Sequence, residues 1–457
     1  MILAPPADGT RPASHLFYQS GRRRPLVARA EGVYIWDADG RRRIDGSSGA
    51  MVANIGHSNR RVLDAMRAQM ADATFAYRLH FENEPAEELA RMVARRVPGL
   101  DRIFFVSGGS EAVESCLKLA RQWAVATGQG SRWKVISRYP SYHGSTLGAL
   151  SVTGYDPLTE PFRPMMQAMP KIDAPAVWRD RDGLTLAERG LAYADQLEAR
   201  ILAEGPETVL AFIVEPVGGA STGALVAPDS YYPRIREICD RHGVLLIHDE
   251  VMCGAGRTGR FLAGEHWGCR PDLVALSKGF GAGYVPLGCM AAPARLVEPV
   301  LGDREGFQHG HTYAGNPLAC AAGRAVLDEI DRLDLMGNAT RMGALLIEGL
   351  RALAQRYPFI GDVRGRGLLT AAEFVTPGGT DPLPPGLDVY ERIVEHCYDR
   401  GLIVYSRRSR GGHAGDHVLV CPPMIVTEAQ LGEILSILDD ALAGLAAELA
   451  LPVEGGA

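Results

Sequence analysis

Between about residues 85 and 290 the chain alternates two patterns. Stretches with apolar residues at helical spacing are separated by short continuous apolar runs at 102–106, 134–137, 210–214, 244–247 and 273–277. Runs of Val, Ile, Leu and Phe without polar alternation predict strands buried on both faces. Strands that alternate with helices predict an α/β fold with a mostly parallel sheet covered on both sides. In such sheets ligands gather beyond the carboxyl ends of the strands. The polar residues that follow these runs are Ser107 to Glu111, Tyr142, His143, Glu215 and Asp249, so they are expected to converge on one crevice.

The flanks read differently. Residues 1 to about 30 are rich in Pro and Arg with weak periodicity, and 32–40 predicts a hairpin turning at Asp39-Gly40. A helix is predicted over 60–70, and one or two long helices over 319–356. The stretch 361–449 predicts a smaller α+β unit: strands near 368–374 and 418–421, helices near 388–400 and 428–449. The Gly/Pro-rich stretch 377–385 predicts a surface loop, and there is no internal repeat. The division expected is an N-terminal segment, 1–60, packing with the small domain; a large domain, 61–330; and a C-terminal small domain, 331–457.

Composition narrows the function classes. The 457 residues are 46% hydrophobic and 22% charged, with a formal net charge of −6. That is ordinary for a globular enzyme and gives no basic block for a phosphate backbone, so nucleic acid is not an expected partner. The start of the chain lacks the charged and apolar regions of a signal peptide, and apolar stretches stop short of a membrane span. The eight cysteines are scattered without metal-site spacing. A cytoplasmic protein with reduced thiols and no bound metal is expected.

Two residues carry the chemistry. Asp249 ends one apolar run, and Lys278 ends another just before Gly279-Phe280-Gly281-Ala282-Gly283. Lys278 is one of only four lysines. Lys118 falls on an amphipathic helix, Lys134 opens a strand and Lys171 falls in a polar loop, so only Lys278 stands where buried chain gives way to a glycine turn. A lysine and an acid delivered this way suit pyridoxal phosphate: the lysine forms the Schiff base and the acid holds the pyridine nitrogen protonated. The alternative is a divalent cation held by Asp249 and Glu250. Against it, alternate strand residues face opposite sides, which turns Glu250 away while Val251 shares the side of Asp249.

Ser107-Gly108-Gly109-Ser110-Glu111 lies between a strand and a helix, where backbone N–H groups and the helix dipole favour a phosphate; a plain serine-capped turn reads the same way. Neither the Gly-x-Gly-x-x-Gly dinucleotide fingerprint nor a P-loop is present, which disfavours a nicotinamide oxidoreductase. In Ser141-Tyr142-His143-Gly144 an aromatic beside a glycine could lie against a flat ring or simply half-bury in a turn.

Taken in order, these motifs resemble the class III pyridoxal phosphate aminotransferases of fold type I. The resemblance rests on Asp249-Glu250-Val251, Gly256-Arg257-Thr258-Gly259, Pro271 to Lys278, His311 to Pro317, Arg364 to Leu368 and Pro422-Pro423, and it spans nearly the whole chain. It implies a large domain with a seven-stranded sheet and pyridoxal 5′-phosphate as cofactor. Lys278 and Asp249 would be catalytic. The cofactor would be held by Gly109, Ser110, Tyr142, His143, Glu215, Asp249, Val251, Lys278 and Thr312. Thr312 would reach the phosphate of a neighbouring subunit, implying a homodimer, with a tetramer as the alternative assembly. Gly108 departs from the serine of many relatives.

The resemblance also implies a salt bridge between Glu215 and Arg364 that opens or closes the pocket to carboxylates, where the residues alone read equally as an interdomain ion pair. A second carboxylate-binding arginine is expected on the loop 405–413, from among Arg407, Arg408 and Arg410. The implied reaction moves an amino group from an ω-amino acid or primary amine to a keto acid, pyruvate above others. Other reactions open to the same family are those of an aminomutase, racemase or decarboxylase; Ala50, where decarboxylating relatives would carry glutamine, argues against the last.

Overall fold

The computed structural model describes residues 14–17, 23–180, 182–408 and 415–454. Seven strands build the central sheet: β1 Arg102–Val106, β2 Lys134–Tyr139, β3 Lys171–Asp173, β4 Val209–Val214, β5 Leu245–Asp249, β6 Leu273–Leu276 and β7 Gly288–Ala292. Their spatial order is β1-β7-β6-β5-β4-β2-β3. Strands β2 to β6 pair in parallel, and β7 runs antiparallel to both of its neighbours. Every residue of β4, β5, β6 and β7 is buried, the physical counterpart of their unbroken apolar runs.

The helix Gly109–Ala126 covers one face. Its Val113, Cys116 and Ala120 share an apolar cluster with Ile213, Ile247 and Ala275. The helices Leu186–Glu204 and Tyr231–His242 cover the other, against Phe212 and Leu246. All eight cysteines are buried and unpaired. Among the described residues no helix is long and apolar enough to cross a membrane.

Two helices, Pro317–Arg332 and Leu335–Arg356, lead out of the large sheet. They part at Asp334, whose φ is +48° and whose side chain caps the second helix at Gly337 N. Beyond them an antiparallel sheet runs Ile360–Arg366, Leu369–Phe374, Asp416–Val420, Tyr405–Arg408 in spatial order. The N-terminal strands Val27–Glu31, Tyr34–Asp37 and Arg42–Asp45 form a third sheet with Leu402–Ile403, in which Ile44 pairs in parallel with Leu402.

Three local expectations need correction. The N-terminal hairpin begins earlier than 32, because Val27–Glu31 pairs with Tyr34–Asp37 despite its weak pattern; four of its five residues are exposed, so burial left no periodicity to read. Lys171 lies not in a loop but at the start of β3, a three-residue edge strand. Its ammonium donates to Ser151 O (3.0 Å) and Met169 O (3.4 Å), and burial lowers its pKa to about 8. The segment opening the expected loop 405–413 is also a strand, Tyr405–Arg408, whose polar composition hid it.

Candidate active site

Parallel strands deliver their following residues to one edge of the sheet. Asp249, the last residue of β5, is buried there. Its Oδ2 lies 2.8 Å from His143 Nδ1, and its Oδ1 accepts from Val251 N (3.1 Å). His143 is in turn fixed by its own N–H, which donates to Thr153 Oγ1 (2.9 Å); its Nε2 is buried without a hydrogen-bond partner. Glu250 turns to the other side. Its carboxylate accepts from Ala263 N (2.8 Å) and Gly264 N (2.9 Å), and burial raises its pKa to about 7. With Glu250 so engaged, Asp249 and Glu250 do not form a common cation site. Among the described residues no cluster of His, Cys, Asp and Glu suits a metal.

Lys278 follows β6 on the neighbouring strand end, with φ at +47°, a conformation non-glycine residues adopt at an energetic cost. The surroundings over-determine it. Ser277 Oγ donates to Leu287 O (2.8 Å), Phe280 is fully buried, and a Cβ on Gly279 would stand 2.0 Å from Asn54 Nδ2. Burial lowers the pKa of the Lys278 ammonium, while the carboxylates of Asp249 and Glu215 act in the opposite sense.

Past β1, Gly108 forms the N-cap of the helix Gly109–Ala126 and offers no side chain to its first-turn N–H groups. Ser110 Oγ accepts from Ser145 N (3.1 Å), which leaves its own hydrogen free to donate. A Cβ on Gly109 would come within 2.7 Å of Val251 Cγ1, so the glycine lets the helix terminus approach the segment after Asp249. Past β4, Glu215 is buried; its Oε1 accepts from Gly219 N (3.0 Å) and its Oε2 from Tyr142 N (3.3 Å), and burial raises its pKa. Burial also raises the pKa of the Tyr142 phenol, which lies in the field of Asp249, Tyr405 and Arg407. Lys278 and Tyr142 both lie in the field of Asp249, and the bare helix N-terminus at Gly109 packs against Val251, so an amine, a carboxylate with an imidazole partner, an aromatic and a helix terminus gather at one edge of the sheet.

The sequence model described as Aminotransferase class-III matches residues 18–442. The chain is a class III aminotransferase. It is similar to the uncharacterized aminotransferase YodT of Bacillus subtilis, 38% identical over 92% of this chain and 95% of that one. It is also similar to putrescine–pyruvate aminotransferase of Pseudomonas aeruginosa, 33% identical over 90% and 89%. Among solved structures, an (S)-enantioselective ω-transaminase from Thermomicrobium roseum superposes with a TM-score of 0.87 at 36% identity, over 92% of this chain and 93% of that one. An amine transaminase from an uncultivated Pseudomonas species, solved with pyridoxal phosphate bound, gives 0.88 at 34% identity, over 95% and 99%.

The cofactor of these enzymes is pyridoxal 5′-phosphate, and the aminotransferase has groups that fit it. Asp249 with His143 suits a protonated ring nitrogen, Lys278 suits an aldehyde, and the terminus at Gly109 and Ser110 suits a phosphate. Thr312 does not join them within this chain's own site: it is exposed on a turn beside His311, whose Nδ1 lies 3.8 Å from Glu111 Oε1.

The arginines depart furthest from expectation. Glu215 and Arg364 form no salt bridge. Arg364 pairs with Asp362 and Glu373, both at 2.7 Å, and donates to Thr222 O and Gly223 O. Both of those carboxylates lie on its own sheet and outcompete Glu215. Arg408 pairs with Asp388 (2.9 Å) and Asp416 (3.0 Å). Arg407, its neighbour in the strand, points the other way and lies over Tyr405, 5.4 Å from the ring centre. Arg410 lies outside the described residues.

Two supporting arginines were given no role by the sequence: Arg138 carried no signal, and Arg257 entered only as part of the Gly256-Arg257-Thr258-Gly259 motif. Arg138, fully buried, donates to Glu215 O (2.7 Å). Arg257, also fully buried, donates to Pro422 O (2.6 Å), Asn54 Oδ1 (2.5 Å) and Ser48 Oγ (3.0 Å), and burial lowers its pKa to about 10. It ties the turn after β5 to the N-terminal segment and to the Pro422-Pro423 motif. Its partners are mainly backbone carbonyls and small polar side chains, which composition does not single out.

Proposed function

We propose that this aminotransferase moves an amino group from an ω-amino acid or simple primary amine to a keto acid, with pyruvate as the favoured acceptor. The juxtaposition of Lys278 with the Asp249–His143 pair carries the proposal. When bound, pyridoxal phosphate supplies an electron sink for the carbon that exchanges its proton. Asp249, hydrogen-bonded to His143 Nδ1, would hold the positive charge that makes the sink effective. Lys278 is the base: desolvation favours its neutral amine, which takes and returns a proton at Nζ. Tyr142 and Val251 confine the ring from its two sides, and the N–H groups at Gly109 and Ser110 fix the phosphate.

Arg407 is the substrate-carboxylate ligand in this scheme, because it alone of the described strand arginines faces Tyr142 and has no carboxylate partner among the described residues. Putrescine–pyruvate aminotransferase as a relative supports pyruvate as acceptor and an amine as donor. The active assembly proposed is a homodimer, with Thr312 completing the phosphate site of the partner. Phe75, Leu79, Phe81 and Tyr313 are exposed, and the rings of Phe75 and Tyr313 meet edge-on, an apolar surface that a second copy would cover.

The test is a panel of amines mixed with purified holoenzyme, first alone and then with pyruvate. A primary amine alone should convert the visible spectrum once without turnover, and pyruvate should restore it with formation of alanine. Continuous product from amine alone would instead indicate a mutase or racemase. Borohydride reduction should attach a pyridoxyl group to Lys278; an unlabelled peptide would sink the scheme.

A further inference from the structure

We infer that Arg364 is a positioning residue for the reaction, acting on Tyr142 through the turn 219–223 and Glu215. The inference rests on the placement of Tyr142 against the cofactor ring proposed above.

The turn itself sets the problem. Val217 bridges Val226, and Gly218 N donates to Leu225 O (2.8 Å), so 219–224 is the tip of an excursion that follows β4. Loops ordinarily run over the surface, where water meets their carbonyls. Here residues 221–224 are all buried, so their backbone groups need partners within the protein.

Those partners come from the small-domain sheet. Arg364, on the strand Ile360–Arg366, donates from Nε to Gly223 O (2.7 Å) and from Nη2 to Thr222 O (2.8 Å). His417, on the strand Asp416–Val420, places Nε2 2.9 Å from Ala220 O; a carbonyl only accepts, so Nε2 carries the hydrogen. The guanidinium is aimed by its ion pairs. Asp362 and Glu373 both meet Nη1 at 2.7 Å, which leaves the Nε–Nη2 edge for the two carbonyls. The fit is close. Gly223 has φ at +62°, and a Cβ there would stand 3.0 Å from Arg364 Nη2 and 2.9 Å from the His417 ring.

The near end of the same turn holds the site. Gly219 N donates to Glu215 Oε1 (3.0 Å), and Glu215 Oε2 accepts from Tyr142 N (3.3 Å). Arg364 therefore reaches Glu215 through the turn, where it makes no salt bridge directly. A turn released by Arg364 loosens the Gly219 end and with it the carboxylate that sets the backbone of Tyr142. Misplacing a reacting group by about 1 Å can cost roughly 100-fold in rate, so a small shift suffices.

Two variants test this from opposite sides of the contact. Arg364→Lys keeps a cation beside Asp362 and Glu373, but a single ammonium cannot reproduce the fork that spans both carbonyls. Gly223→Ala keeps every charge and pushes the turn off Arg364. Holoenzyme of each is compared with the parent and with Arg408→Ala, which removes a doubly paired arginine of the same sheet whose partners, Asp388 and Asp416, lie outside the turn. Circular dichroism in the visible cofactor band reports how the ring is seated, and the single colour change with a primary amine alone reports the amine half-reaction. Arg364→Lys and Gly223→Ala should both diminish the band and slow the half-reaction by about tenfold or more. Arg408→Ala should lower Tm and leave both readouts at the parent's values. The inference fails if the two variants lower Tm alone, if Arg408→Ala moves the band as far as they do, or if neither yields folded holoenzyme, which would make the contact structural. A parent without a pyridoxyl adduct on Lys278 would overturn the proposed function and this inference with it, whereas a reactive parent with unaffected variants overturns this inference alone.

Discussion

Asp249 and His143 form a closed pair: Oδ2 and Nδ1 are 2.8 Å apart, both side chains are buried, and Thr153 fixes the histidine from behind. The imidazole thus keeps the acid aimed. Replacing His143 with alanine leaves a buried carboxylate short of a donor, worth about 1.5–3 kcal/mol for a charged group. His143→Ala is expected to lower kcat by about 10- to 100-fold with the cofactor still bound. A cofactor-loaded variant with unchanged kcat would contradict the role.

Lys278→Ala should retain cofactor through the remaining contacts, visible as non-covalent chromophore, and lose turnover by roughly 10⁴-fold. Full activity in that variant would remove the base from the mechanism.

Arg407 and Arg408 separate substrate binding from stability. Arg407→Ala should raise KM for pyruvate by about 10- to 100-fold, the value of one charge-assisted bond, and leave KM for an uncharged amine donor nearly as it was. Arg408→Ala loses Asp388 and Asp416. It should lower Tm by several degrees with little change in KM. The reverse assignment of effects would show that the strand is turned the other way.

Gly109→Ala sets a methyl 2.7 Å from Val251 Cγ1. Cofactor affinity is expected to fall by about tenfold, since overpacking typically costs 1–3 kcal/mol. The double variant with Val251→Ala should recover part of that loss, a coupling readable by cofactor titration. Strictly additive losses would place the two residues out of contact.

Glu250 makes stability depend on pH. Its folded pKa of about 7 stands above the ordinary 4.5, so between these values the folded chain binds more protons than the unfolded one. The advantage is full below about pH 4.5 and is lost as pH rises through about 7, a change of about 3 kcal/mol. Tm of the parent should therefore fall relative to Glu250→Gln between pH 5 and 8. Parallel Tm profiles would show that Glu250 does not titrate in this window.

The strand ends that present Asp249, Glu215 and Lys278 were legible in the sequence because each follows an apolar run, and burial on both faces writes such runs directly into composition. The strand-to-helix junction from Ser107 to Ser110, the proposed phosphate site, was legible for a similar reason: small residues there are a local requirement. The turning away of Glu250 followed from the two-residue period of a strand.

What only the tertiary structure decided was the partner of each charged or edge residue. Arg364 pairs with Asp362 and Glu373 rather than Glu215, because sheet pairing brings Glu373 alongside it. Arg407 and Arg408 are neighbours in sequence, and the strand pleat sends one toward Tyr142 and the other to Asp416. Val27–Glu31 is a strand because Tyr34–Asp37 completes its hydrogen bonds, not because of its own composition. Apolar burial acts through the period of a single segment, whereas ion pairs and edge-strand hydrogen bonds depend on which distant segments the fold brings within reach.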